Sequence, residues 1–223
     1  MNNANAISAL IKKEFLLEFR NKVSISSMML YVVSTIFICY QSFKVLDNVQ
    51  VWNALLWVII LFSAVNAVNK SFYSESKSQQ MYFYLLTSPQ NIILAKTIYN
   101  IILVNVIALV SYLIYNIMLG KPGEGDGFSG QLLLVLVLGA TGISGILTLV
   151  SAIAAKTNNN LGLISILGFP VMVPVIMAVI KSGKNAADML SFSVNTKYLV
   201  ALGGLDVIII ALSFILFPYL WRE

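Results

Sequence analysis

The residues of this chain that could carry chemistry are few. Asp206 is the one acid inside an apolar stretch long enough to cross a membrane, and it follows Gly203-Gly204. A carboxylate there marks either a functional site within the bilayer or the N-cap of a helix that the two glycines interrupt near the outer interface. The glycines weigh toward the cap. Glu14 and Glu18 stand one helical turn apart, on the side that carries Ile7 and Ile11, so two acids break an apolar stripe. They form either a solvated helix edge or a surface for a basic partner or a neighbouring loop. Glu18 and Lys22 have the i,i+4 spacing of an ion pair, with Arg20 between them. A third group runs from Glu75 through Gln79 and Gln80 to Tyr82-Phe83-Tyr84 and then Pro89. Its aromatics either lie at lipid headgroups or dock another protein. They are more than a connector needs, which favours docking.

Most other chemistry is excluded. The chain has no histidine, so the commonest metal ligand and general base are missing. Its single cysteine, Cys39, sits in an apolar run and reads as a small buried hydrophobe. Neither an intrachain disulfide nor a thiolate metal cluster can form. There is no G-x-x-x-x-G-K-[ST] phosphate loop, no H-E-x-x-H, no Cys-x-x-Cys and no G-x-S-x-G elbow. The chain is therefore not expected to be an enzyme, and any ATP-driven work needs a partner. A haem axial ligand would have to be Met, Tyr or Cys39. Met172 and Met177 read as packing, so the isolated chain is expected to bind no haem with defined axial ligation.

The elements that position these residues follow from composition. Of 223 residues, 59% are hydrophobic and only 10% charged, which calls for lipid rather than water as solvent. The net charge of +5 then reads as cytoplasmic loop charge and not as a nucleic-acid surface. Six stretches are long enough to span: about 23–43, 51–69, 97–119, 131–155, 161–180 and 198–221. The reading is an all-α integral membrane protein, one membrane domain over 1–223. An interfacial helix over about 6–22 precedes the spans, and a short cytoplasmic helix ending near Ser88 lies between spans two and three. The start of the chain lacks a compact apolar stretch with a small-residue cleavage site, so the first span is expected to be retained. With both termini in the cytoplasm, nine Lys and Arg, including Lys96, fall inside and five outside, which sets the orientation. The small residues Gly139, Thr141, Gly142, Ser144 and Gly145 of span four suit close helix packing, within the chain or against a second copy. Pro170 and Pro174 predict a kinked fifth span whose freed carbonyls face protein or a cavity.

This order of elements is that of the ABC-2 type permeases, and several stretches resemble the CcmB (haem exporter protein B) family of cytochrome c maturation. These are Lys13-Glu14-Phe15-Leu16-Leu17-Glu18-Phe19-Arg20, Leu85-Leu86-Thr87-Ser88-Pro89 through Ile92-Ile93-Leu94-Ala95-Lys96, Phe169-Pro170-Val171-Met172-Val173-Pro174 and Leu216-Phe217-Pro218-Tyr219-Leu220-Trp221. The resemblance covers essentially the whole chain. It implies a permease subunit in the bacterial cytoplasmic (inner) membrane, with ATP bound by a CcmA-like ATPase. CcmC-, CcmD- and CcmE-like proteins would be further partners, and haem the substrate exported or delivered. Many members carry an acid–glycine pair where this chain has Ser78-Gln79. Two other functions fit the residues: an ABC-2 permease for a lipid, polysaccharide or drug, and a non-transporting scaffold for cytochrome c assembly.

Overall fold

The computed structural model describes residues 3–43, 46–73, 87–120, 130–156 and 161–221. Among them are seven helices and no strand: α1 (Asn3–Arg20), α2 (Lys22–Phe43), α3 (Val49–Tyr73), α4 (Pro89–Leu119), α5 (Gly130–Lys156), α6 (Leu161–Ala187) and α7 (Phe192–Trp221). All but α1 contain a stretch long and apolar enough to cross a membrane. Hydrocarbon offers no partner to backbone N–H and C=O groups, so apolar segments of this length satisfy them internally as helices. The all-α membrane class read from the sequence is what the chain adopts.

α5 is the axis of the bundle. Every residue from Gly142 to Ala152 is buried, because α3, α4, α6 and α7 all pack on it. Its glycines are where neighbours come closest. A Cβ on Gly139 would stand 2.4 Å from the Trp57 ring, and one on Gly145 2.9 Å from Ile209. The small residues of the fourth span thus serve packing within the chain.

Several boundaries differ from the sequence reading, each for a local reason. Asn48 caps α3: its Oδ1 accepts from Gln50 N–H at 2.8 Å, so the helix opens before Val51. Pro89 opens α4, where a missing N–H costs nothing and its fixed φ suits the first turn. Ser88 before it is extended, as a residue preceding proline must be. α4 ends at Gly120, whose φ of 69° suits a residue without Cβ. Its carbonyl accepts from Trp52 Nε1 at 2.7 Å. α6 runs past Ile180 to Ala187 and α7 starts at Phe192, so Asp188-Met189-Leu190-Ser191 form a tight turn between them, with Met189 at φ 53°. Both α6 prolines lie within an unbroken helix, on its exposed side, while Met172, Val175 and Val179 face the core. α6 thus faces the rest of the chain along one side only. One face of a helix suffices to pack, and the prolines fall on the other.

Candidate functional site

Two constellations gather the polar residues that an apolar bundle has to place. The first joins α1 to the bundle. Glu14 is 7% exposed and Lys96, on α4, 4%. The Lys96 ammonium donates to Glu14 Oε1 at 3.2 Å and to the Ser71 carbonyl at 2.9 Å, and it lies 5.0 Å from the centre of the Phe72 ring. Glu14 also meets Lys13 at 3.0 Å. Phe15 and Tyr99 pack edge to face at 5.1 Å, and the Tyr99 phenol faces Glu18. α1 is thereby tied to the end of α3 and the start of α4 by a buried ion pair with a hydrogen bond on its remaining side. Such a pair needs that completeness, because two desolvated charges repay their burial only when well coordinated.

Of the two readings left open for Glu14, the structure gives the basic-partner one, and the partner lies within the chain. Lys96, counted as a loop cation in the sequence, is inside α4. Glu18 and Lys22 do not pair in one helix: α1 stops at Arg20 and α2 starts at Lys22, so the i,i+4 register is interrupted at Asn21. Arg20 is exposed.

The second constellation lies inside the membrane. α7 turns Leu202, Asp206, Ile209, Ser213 and Phe217 inward at helical spacing. Asp206 therefore occupies a core position, about 21 Å along the helix from Phe192 and so near the middle of the apolar stretch of α7. It is 6% exposed, and neither carboxylate oxygen has a hydrogen-bond partner among the described residues. Its Oδ1 rests against the bare backbone of Gly142, 2.6 Å from where a Cβ would be, with Val175 beside it. Gly203-Gly204 do not break α7, so Asp206 caps nothing.

Across α5 from Asp206 runs a seam of hydroxyls and amides that the sequence reading missed. Asn100 Nδ2 donates to Thr148 Oγ1 at 3.0 Å, Asn105 Nδ2 to Thr141 Oγ1 at 3.1 Å, and Ser151 Oγ to Asn69 Oδ1 at 3.1 Å. Thr141, Ser144, Thr148 and Ser151 recur at three- and four-residue intervals, which places them on one helix face. That spacing was the available signal. The Oδ1 atoms of Asn100 and Asn105 remain without a partner among the described residues. No group of three or more His, Cys, Asp or Glu fit to hold a metal occurs among the described residues. Glu75, Gln79, Gln80, Tyr82, Phe83 and Tyr84, the expected docking residues, lie outside the described residues; the segment that holds them leaves from the α1 end of α3 and returns at α4.

Six apolar helices around a buried polar interior, with a surface helix tied to one end, define a multi-pass membrane protein. A family model described as CcmB protein matches residues 5–219, and the chain belongs to that family. It is accordingly a haem-exporter-type permease subunit of cytochrome c maturation rather than an enzyme. Comparison with curated proteins gives no significant match.

Proposed function

We propose that the chain is the membrane subunit of an ATP-driven complex in the bacterial cytoplasmic membrane, with both termini cytoplasmic, acting in haem export or delivery for cytochrome c maturation. A CcmA-like ATPase docks on the segment holding Glu75, Gln79, Gln80, Tyr82, Phe83 and Tyr84 and ending at Pro89, and CcmC-, CcmD- and CcmE-like proteins complete the assembly. The observation that carries this reading is the Glu14–Lys96 tie. It reinforces the end of the bundle from which the docking segment departs, as a part that receives force requires. The chain lacks a phosphate loop, so the energy has to enter through such a contact.

Alanine at both Tyr82 and Tyr84 tests the reading. Truncating aromatic hot spots costs about 2 kcal/mol or more. The double variant should lose the ATPase in a pull-down and lose covalent cytochrome c while inserting normally, and Glu75→Lys should do so more mildly. Wild-type ATPase recovery and wild-type maturation in the double variant would remove the docking role from this segment.

A further inference from the structure

α1 sorts its charges by face. Its only acids, Glu14 and Glu18, turn toward the bundle with Ile7, Ile11 and Phe15. There Glu14 is compensated by Lys96 and Lys13. The opposite face exposes Lys12, Leu16, Phe19 and Arg20. Lys12, Leu16 and Arg20 follow one another at i, i+4 and i+8, so the two cations stand about 12 Å apart along the helix with a leucine between them. Beyond Asn21, Lys22 and Val23 are exposed as well, just before the first span begins at Ile25.

We infer that this outward face of α1 is a seat for anionic phospholipid headgroups. One residue, Asn21, separates α1 from a helix that enters the bilayer, so the surface α1 meets is that of the membrane. Leu16 and Phe19 are half or more exposed, which suits the boundary between headgroups and acyl chains. A zwitterionic surface offers both signs of charge and would be matched by a face carrying both. This face carries cations alone, its acids having been turned inward, and so fits a surface of net negative charge. An acidic protein seated on this face is the competing outcome, and the co-purification arm of the test reads it. The inference stands apart from the proposed function, since it concerns lipid and not maturation.

The test uses the full chain, purified from a defined mixture of phosphatidylglycerol and phosphatidylethanolamine, with retained lipid counted by native mass spectrometry. Lys12→Gln combined with Arg20→Gln should lower phosphatidylglycerol affinity by about fivefold per charge removed, leaving phosphatidylethanolamine unchanged. Lys12→Arg with Arg20→Lys keeps the charge and should retain lipid as wild type does. Lys181→Gln, at the other end of the bundle, should also behave as wild type. Equal loss of both lipids, no loss in the glutamine variant, or loss in the charge-keeping one would overturn the inference. So would unchanged lipid with loss of a co-purifying protein.

Discussion

Glu14 and Lys96 are 82 residues apart in the chain and 3.2 Å apart in the fold, and both are buried. Breaking such a pair from one side strands a charge and typically costs about 3–5 kcal/mol, whereas removing both partners costs far less. Lys96→Met and Glu14→Leu should each lower the thermal midpoint of the purified protein, with the double variant more stable than the Lys96→Met single. The Lys13 contact should soften the single Lys96→Met loss somewhat. Strictly additive effects in this cycle would show that the two residues do not interact.

Asp206 has no partner among the described residues, and a buried polar group left unsatisfied costs about 1–3 kcal/mol. Asp206→Leu should therefore raise the unfolding midpoint. An acid within a span is a candidate functional group, and the expected outcome in the same variant is a lower yield of cytochrome c maturation. A drop in stability would mean that the carboxylate is satisfied.

Two glycines give a matched contrast. A methyl on Gly142 would stand 2.6 Å from Asp206 Oδ1 and 3.1 Å from Val175, so Gly142→Ala should destabilise by about 1–3 kcal/mol through overpacking. Gly203 has nothing within 4 Å of its missing Cβ, so Gly203→Ala should be neutral or stabilise α7 by up to about 1 kcal/mol. Thermal melts of the two variants side by side decide the matter. Similar midpoints would place the α5–α7 contact elsewhere.

Orientation is checked by single cysteines at Ser78 and Ser129 in a background lacking Cys39. With both termini cytoplasmic, the Ser129 probe should label from outside intact cells and the Ser78 probe should not. Labelling of both from outside would end the six-span, termini-inside arrangement.

Much of the architecture was legible in the sequence, because apolar length alone declares a membrane helix. All six spans overlap their predicted stretches, and α1 covers most of the stretch read as a helix before them. The ends were less legible, since Asn48, Ser88 and Gly120 set them through caps that hydropathy does not register. The site was readable only in part. Glu14 and Asp206 stood out as acids in apolar surroundings, yet Lys96 read as an ordinary flanking cation. Its burial depends on a contact with a residue 82 positions earlier. Gly203-Gly204 pointed to a break that α7 does not make, because a helix in hydrocarbon has no water to turn to when it opens. Met172 is buried and Met177 exposed, so the two methionines weighed as haem ligands do not face a common site.

α4 has 31 residues, a rod of about 46 Å in a hydrocarbon layer of about 30 Å. It must tilt strongly or stand clear of the membrane, and the end with Pro89 and Lys96 is the one fastened to α1. Asn100 and Asn105 pin that rod to Thr148 and Thr141 of α5, and Trp52 holds its far end at the Gly120 carbonyl, so α4 is a strut that carries any load placed on α1 into the axis of the bundle.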